Sequence, residues 1–182
     1  MGTGWDERYR KGAGREAPAE LLTTFAGLLP KGGRALDLAC GAGRNAVWLA
    51  GRGFDVLGID SSGEALRQGR ELASREACRV TWIQADVEFY PLPAAEFDVI
   101  TCFYYRSPAL YPRVRAALRR GGWLFDETYT LEQLRHGSGP RNPEHLLRPG
   151  ELLSAFADWN VVFYRETSVD RGIASLVARK AW

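Results

Sequence analysis

The sequence predicts an α/β fold in which helices pack on the faces of a mostly parallel sheet. Apolar runs of strand length alternate with segments whose apolar residues recur at helical spacing, as in repeated β-α-β units. A turn containing Gly41 and Gly43 joins the first predicted strand to a helix, and two later predicted strands end in Asp60 and Asp86. Because parallel strands present their carboxyl ends at one edge, these features predict a ligand site there.

Length and composition predict one soluble domain over residues 1–182. Hydrophobic residues make up 46% of the chain and charged residues 25%, both ordinary for a globular protein. Lys and Arg number 24 against 22 Asp and Glu, and the net charge of +2 is too small to favour a nucleic-acid partner. Neither a signal peptide nor a membrane-spanning run is evident, so we expect a cytoplasmic protein with no membrane partner.

The cysteines and histidines show no pattern of a disulfide framework or a metal site. Cys40, Cys78 and Cys102 form no C-x-x-C pair and are odd in number, so we expect reduced thiols. His136 and His145 are the only histidines and lack ligand spacing around them. The sequence therefore predicts no metal site.

The N-terminal segment, residues 1–15, is polar and glycine-rich and is expected to be a mobile arm. It is either a frayed terminus or, because residues 5–9 carry aromatic side chains, a lid over a ligand. A helix is predicted to start near Pro18 and to end before Pro30, since apolar residues between them recur at helical spacing.

The first β-α unit spans residues 35–50 and contains the glycine turn. Gly41 and Gly43 permit a sharp turn and leave no side chain between the backbone and a ligand, while the following helix offers unpaired N–H groups. Asp37 lies within the strand, where a buried carboxylate needs a partner. This arrangement predicts a site for a nucleotide-like small molecule.

The next two units repeat the pattern of a strand that ends in an acid. Residues 53–60 and 79–86 are predicted strands, and Ser61 or Ser62 is the candidate N-cap of the helix between them. Chance alone explains one acid at a strand end, but it explains poorly the three acids Asp37, Asp60 and Asp86.

The second half continues the alternation of strands and helices. Residues 96–103 and 123–129 are predicted strands, separated by an arginine-rich helix that is expected to stop at Gly121 and Gly122, with its arginines on a solvated face. Residues 135–149 are predicted to be a loop over the site. A last helix from Glu151 and two strands, at 159–167 and 171–180, complete the chain.

Several of these segments resemble class I S-adenosylmethionine-dependent methyltransferases. Residues 36–43 followed by 58–60 resemble the first two motifs of that family, and 96–103 its fourth strand. Residues 118–125 resemble its glycine turn, with arginine in place of proline. The resemblance implies a Rossmann-like three-layer sandwich whose seven-stranded, mostly parallel sheet ends in an antiparallel hairpin. It also implies S-adenosylmethionine as cofactor and S-adenosylhomocysteine as product.

The resemblance also assigns roles to the predicted cofactor residues. Asp60 would hold the ribose hydroxyls, Asp86 with the backbone of Val87 the adenine edge, and Asp37 the glycine loop and the methionine amino group. Cys102 would offer its carbonyl to the same ammonium. The remaining candidate cofactor residues are Ala39, Gly41, Gly43, Arg44 and Ser61 around the turns, and Trp5 on an arm that closes as a lid.

The predicted catalytic residues are Tyr104, Tyr105 and Arg106, which follow the fourth strand. Methyl transfer from a sulfonium needs mainly alignment and exclusion of water. Aromatic faces stabilise a sulfonium, and Arg106 can orient an anionic acceptor, although a core tyrosine and a surface arginine are an equal alternative. No D/N-P-P-Y/W sequence follows the strand, which favours a small-molecule acceptor over DNA, RNA or protein.

Residues 40–50 and 142–156 resemble the tellurite-resistance and thiopurine-type methyltransferases. This implies a thiol, selenium or tellurium nucleophile, which needs little help from a base. The alternatives are a nicotinamide-dependent oxidoreductase, for which no Tyr-x-x-x-Lys pair is present, and a binding module without catalysis. We expect a monomer or a weak homodimer.

Overall fold

A seven-stranded sheet organises the structure, in the order β3-β2-β1-β4-β5-β7-β6. The computed structural model describes residues 4–14 and 17–181. Strands β1 to β5 run parallel to one another, and β7 runs antiparallel to both β5 and β6. The strands are β1 Gly33–Leu38, β2 Phe54–Asp60, β3 Thr81–Gln84, β4 Phe97–Phe103, β5 Leu118–Tyr129, β6 Asn160–Thr167 and β7 Ile173–Arg179.

The helices lie between the strands along the chain. They are α1 Gly4–Arg10, α2 Glu20–Thr24, α3 Arg44–Ala50, α4 Gly63–Arg75, α5 Leu110–Ala117 and α6 Glu151–Ala155, with short 3-10 turns at Ala26–Leu28, Leu131–Arg135 and Pro143–His145. The predicted α/β fold with a terminal antiparallel hairpin is confirmed. In the described ranges, no helix has the length and apolar character needed to cross a membrane.

Alternate residues of the central strands supply two apolar layers, one on each face. On one face Leu36 and Ile100 join the apolar side chains of α5 and α6. On the other face Ala35 and Val99 join those of α2 and α3. The order of the strands reverses between β1 and β4, so the carboxyl ends of these two strands flank the point at which ligands bind in open α/β sheets.

The predicted boundary between the arginine-rich helix and the fifth strand was wrong. Helix α5 ends at Ala117, and β5 begins at Leu118 instead of residue 123, because Leu118 already pairs with Phe97 of β4. Arg119 is therefore a strand residue, and it pairs with Asp98 at 2.9 Å. The expectation of a solvated arginine face was wrong for Arg113, which donates to the backbone carbonyls of residues 87, 88 and 90, whereas Arg120 is exposed.

Two other segments differ from their predicted extent. Strand β3 ends at Gln84, so Asp86 lies in the following turn and not at the strand end. The predicted loop at residues 135–149 closes against the sheet, because Leu146 and Leu147 are buried and Leu147 forms a bridge with Thr130. Part of the predicted arm, residues 1–3 and 15, lies outside the described residues.

Candidate functional site

The glycine loop between β1 and α3 has the backbone of a tight turn. Ala39, Gly41 and Gly43 have φ angles of 51°, 56° and 75°, the left-handed region that favours glycine. The N–H of Gly43 donates to the Cys40 carbonyl at 2.9 Å, which closes the turn at the start of α3. The loop thus presents its backbone at the carboxyl edge of β1, as the sequence predicts.

The two glycines of the loop face different neighbours. A Cβ atom on Gly41 would lie 2.2 Å from the Tyr9 hydroxyl, on the side of the N-terminal arm. A Cβ atom on Gly43 would lie 2.2 Å from the indole of Trp82. Gly58 and Gly69 also face this indole, at 3.0 and 2.9 Å. Gly43 is therefore required for packing against Trp82, and its predicted contact with a cofactor stays a prediction.

Asp37 lies buried beneath the loop and ties β1 to its neighbours. Its Oδ1 accepts a 2.7 Å hydrogen bond from the Thr101 hydroxyl on β4, and its Oδ2 accepts one of 3.1 Å from the N–H of Ala46 in α3. Burial raises the pKa of Asp37 to about 7. The carboxyl group thus joins β1 to β4 and to the first turn of α3, and at neutral pH it stands near its titration point. Its predicted role in ordering the glycine loop stays a prediction.

Asp60 ends β2 beside the same loop. Its Oδ2 accepts a 2.8 Å hydrogen bond from the N–H of Gly41, and its Oδ1 accepts one of 2.8 Å from the N–H of Ser62. Burial raises its pKa above the ordinary value. Each carboxylate oxygen accepts two hydrogen bonds, so Asp60 retains the capacity to accept from two hydroxyl groups.

The turn after β3 holds the residues predicted for an adenine edge. Asp86 is exposed, and its Oδ1 accepts a 2.9 Å hydrogen bond from the N–H of Glu88. Val87 is buried. Ser61 uses its carbonyl to accept from Gln84 at 3.3 Å, which joins the ends of β2 and β3. These residues lie at one edge, and their contacts with a ligand stay predictions.

The N-terminal arm includes a helix, α1, that packs against α4. Asp6 is buried, and its Oδ1 accepts hydrogen bonds from the Ser62 hydroxyl at 2.6 Å and from the N–H of Glu64 at 3.2 Å. Trp5, the predicted cofactor contact, is 48% exposed and lies beneath the guanidinium of Arg8. Tyr9 of the arm reaches the glycine loop, where its hydroxyl lies against Gly41.

The predicted catalytic residue Tyr104 has an unusual backbone and a polar anchor. Its φ of 61° is left-handed, a conformation that favours glycine. Its hydroxyl donates to Glu127 Oε1 at 3.0 Å, and the Arg171 Nη1 donates to that hydroxyl at 3.5 Å. The guanidinium of Arg44 lies 5.7 Å from the centre of its ring. Tyr104 therefore lies near the start of α3 and the glycine loop.

Tyr105 and Arg106 turn towards the opposite face of the sheet. The Tyr105 hydroxyl donates to Glu88 Oε1 at 3.2 Å. Arg106 makes a bidentate ion pair with Glu151 of α6, with both N···O distances 2.8 Å, and donates to the Glu144 carbonyl. An anionic acceptor would have to compete with Glu151 for this guanidinium, so the predicted role of Arg106 stays a prediction.

Two cysteines near the site, Cys40 and Cys102, are buried. Burial raises the pKa of Cys40 and of Cys102 well above the ordinary thiol value. Both thiols are therefore protonated at neutral pH and are poor nucleophiles. The predicted contribution of Cys102 is its carbonyl, at the end of β4 beside β1.

Some site residues were missed by sequence reasoning. Ser62, Thr101 and Glu127 hold Asp60, Asp37 and Tyr104 in place. A strand threonine and a strand glutamate carry no signal of such pairing, because their partners are 64 and 23 residues away.

The sequence matches a family model and several known proteins. Residues 35–122 match the family model described as a methyltransferase domain. A ubiquinone biosynthesis O-methyltransferase of Bordetella avium is 29% identical over 158 residues, covering 75% of this chain and 64% of that protein. One from Thiobacillus denitrificans is 35% identical over 103 residues, covering 53% of this chain and 44% of that protein.

Solved structures share the fold at low identity. TehB of Haemophilus influenzae superposes with a TM-score of 0.77 at 18% identity, covering 97% of this chain and 67% of that one. A SAM-dependent methyltransferase of Aquifex aeolicus gives 0.72 at 18% identity, covering 96% and 97%. The chain spans less than two thirds of the length of the curated relatives named above. The predicted resemblance to class I methyltransferases is confirmed.

Proposed function

We propose that this chain is a class I S-adenosylmethionine-dependent methyltransferase that transfers a methyl group to a small-molecule acceptor at the carboxyl edge of β1 and β4. The observation that carries the proposal is the Asp60 carboxylate, which accepts from the N–H of Gly41 at 2.8 Å. It brings together the glycine loop and the acid at the end of β2, the two motifs that carry the family resemblance. The match of residues 35–122 to a methyltransferase domain supports it independently.

The residues at this edge fit the cofactor. Gly41 has no side chain between its backbone and the arm, and the Tyr9 hydroxyl lies where a Cβ atom would stand. Asp60 has acceptor capacity for two ribose hydroxyls. Asp37 supplies a buried negative charge for an ammonium group, and binding of that cation would lower its raised pKa.

The catalytic task of this chain is alignment. S-adenosylmethionine, when bound, supplies an electrophilic methyl group on a sulfonium. Tyr104 would present its ring to that sulfonium, while its hydroxyl is held by Glu127. The arm excludes water from the loop, since α1 packs on α4 and Tyr9 lies against Gly41.

The proposed acceptor is a small thiol or a selenium or tellurium nucleophile. Support comes from the resemblance of residues 40–50 and 142–156 to tellurite-resistance and thiopurine-type enzymes and from the shared fold with TehB. These soft nucleophiles need little base assistance, and the residues proposed to hold the cofactor and the acceptor include no histidine. The relatives named as O-methyltransferases make an oxygen acceptor the competing possibility.

The decisive experiment is calorimetric titration with S-adenosylhomocysteine and, separately, with NAD. Wild type should bind the homocysteine ligand in the micromolar range, about −8 kcal/mol. Asp60→Ala should weaken binding at least about tenfold, because it removes the ribose acceptor and the hydrogen bonds to the loop. Asp55→Ala is the matched control, since Asp55 lies on the same strand and its side chain is 68% exposed.

The outcomes separate the alternatives. Binding of NAD instead would indicate an oxidoreductase and overturn the proposal. Binding of S-adenosylhomocysteine without methylation of any of a panel of thiols, selenite, tellurite, catechols and small amines would indicate a non-catalytic binding module. We also propose that the chain is a monomer or a weak homodimer in the cytoplasm and has no nucleic-acid or membrane partner. Sedimentation of the purified chain tests the oligomeric state.

A further inference from the structure

Asp126 is a buried carboxyl group that the proposed alignment of the methyl group does not use. It lies on β5, where it pairs in register with Cys102 of β4 and Leu176 of β7. Only 6% of its surface is exposed, and its Oδ1 is buried without a hydrogen-bond partner in the described structure. A buried carboxyl oxygen with no donor carries a desolvation cost that folding does not recover.

The surroundings of Asp126 place it beside the segment that leaves β4. The pKa values of Cys102 and Tyr111 are raised chiefly by burial and next by the nearby Asp126 carboxyl, so this group lies close to both side chains. The Tyr111 hydroxyl donates to Glu151 Oε1 at 3.0 Å, and Glu151 pairs with Arg106. Asp126 thus lies at the level of Cys102, beneath residues predicted to meet the acceptor.

The core cluster around Asp126 is apolar, and a carboxyl group is unusual among its side chains. Leu124, two residues earlier on the same face of β5, belongs to the core cluster that also contains Cys102 and Leu176. A leucine at position 126 would fit that cluster without an orphaned oxygen. An unsatisfied buried polar group in a native protein calls for an explanation, and a functional role is one of the recognised ones.

We propose that Asp126 is an acceptor-binding residue, whose Oδ1 accepts a hydrogen bond from a hydroxyl group of the methyl acceptor. The inference rests on the proposed function and narrows its substrate class to small nucleophiles that carry a hydroxyl group in addition to the atom that is methylated. Tyr105 and Tyr111 pack on the same core cluster, so an aromatic acceptor matches the side chains around this position.

The protonation state of Asp126 limits what it does. Burial, and after it the neighbouring Glu127 carboxylate, raises the pKa of Asp126 well above the ordinary value. The raised pKa favours the uncharged form of the group, and in that form it does not remove a proton from the nucleophile. Its carbonyl-type oxygen accepts a hydrogen bond without placing a charge in the apolar layer, which is a binding and not a base function.

The test removes the Asp126 side chain and one substrate hydroxyl group, each alone and both together, and compares the effects on catalysis. The probes are 4-mercaptophenol and thiophenol, two thiols that differ by that hydroxyl alone. With wild type, kcat/KM for 4-mercaptophenol should exceed that for thiophenol by about tenfold, the size expected of one hydrogen bond. Asp126→Leu should reduce this ratio to about one, through KM, without changing the Kd for S-adenosylhomocysteine.

Two further variants make the result specific. Asp126→Asn retains an oxygen that accepts a hydrogen bond and should restore most of the tenfold preference. Thr130→Val removes the other orphaned oxygen just beyond β5, Thr130 Oγ1, and should leave the preference unchanged. Asp126→Leu should also raise the melting temperature by about 2–4 °C, because it replaces a buried carboxyl by an apolar side chain.

The results that would contradict the role of Asp126 differ from those that would contradict the proposed function. An unchanged preference in Asp126→Leu, or a wild type that favours thiophenol, overturns the role of Asp126 while methylation of a thiol still supports the transferase. Loss of S-adenosylhomocysteine binding in Asp126→Leu would indicate a structural role and also overturns it. A wild type that binds no S-adenosylhomocysteine and methylates neither thiol overturns both proposals.

Discussion

The Ser62 hydroxyl donates a 2.6 Å hydrogen bond to Asp6 Oδ1, which joins the N-terminal helix to the first turn of α4. The same residue donates its N–H to Asp60 Oδ1 at 2.8 Å, and its Oγ accepts from the N–H of Ala65 as the N-cap of α4. One serine therefore connects the arm, the helix cap and the carboxylate that is expected to hold the ribose.

The arm should open when this connection is removed. Asp6→Ala deletes the acceptor for Ser62 and Glu64, and a hydrogen bond to a charged group contributes about 1.5–3 kcal/mol. Tryptic cleavage after Arg10 and Lys11 should accelerate at least about tenfold, because cleavage follows the population of the open arm. The cleavage rate of Asp6→Asn, which keeps one acceptor oxygen, should lie between those of wild type and Asp6→Ala. Equal cleavage in wild type and Asp6→Ala would show that the arm does not depend on this bond.

Cofactor binding should release protons near neutral pH. The folded pKa of Asp37, about 7, exceeds the unfolded value of 3.8, so this group stabilises the fold most below pH 4 and less as the pH rises to about 7. A bound ammonium group favours the carboxylate and should expel its proton between about pH 6 and 7. Titration with S-adenosylhomocysteine in phosphate and in Tris should give different enthalpies for wild type.

The control for this proton release is Asp37→Asn. The amide does not titrate, so the enthalpies with which Asp37→Asn binds S-adenosylhomocysteine in phosphate and in Tris should agree more closely than those of wild type. Its stability should also vary less with pH between 4 and 7, since the slope from one group is at most about 1.4 kcal/mol per pH unit. Identical wild-type enthalpies in both buffers would contradict a cation near Asp37.

Sequence patterns predicted the features that depend on local spacing. Alternating strands and helices, the glycine loop and the acids Asp37 and Asp60 follow from periodicity and turn chemistry, and the structure has them at the expected edge. The start of β5 was missed because pairing with β4 overrides the apparent helix at residues 118–122. The ion pair of Arg106 with Glu151 was missed because its partners are 45 residues apart.

Arg106 and Glu151 should prove to be mutually dependent for stability. Their side chains are 13% and 16% exposed, so losing either partner leaves a poorly solvated charge. We expect Arg106→Lys and Glu151→Gln each to cost about 2 kcal/mol in urea unfolding. The double variant should cost clearly less than the sum, because the pair acts as a unit.

Activity measurements on the same variants address the acceptor. If Arg106 also orients an anionic acceptor, Arg106→Lys should raise KM for selenite more than Glu151→Gln does at similar stability. Equal KM values in the two variants would assign the guanidinium to the ion pair alone. Additive losses of stability would contradict the pair itself.

The two glycines of the loop should respond differently to alanine. Both have left-handed φ angles, which cost a residue with a side chain about 1–2 kcal/mol. In Gly41→Ala the new Cβ meets only the Tyr9 hydroxyl, and the arm can move away. This variant should lose about 1–2 kcal/mol of stability and expose Arg10 to trypsin, and it should bind S-adenosylhomocysteine more weakly.

Gly43→Ala should instead damage the core. Its Cβ would meet the indole of Trp82, which Gly58 and Gly69 confine from two other sides. Strain and overpacking together should cost about 2–4 kcal/mol, measured by urea unfolding. Trp82→Phe removes the ring atoms that clash, so Gly43→Ala should cost less in that background than in wild type. If the cost is the same in both backgrounds, the loop and not the indole requires glycine at position 43.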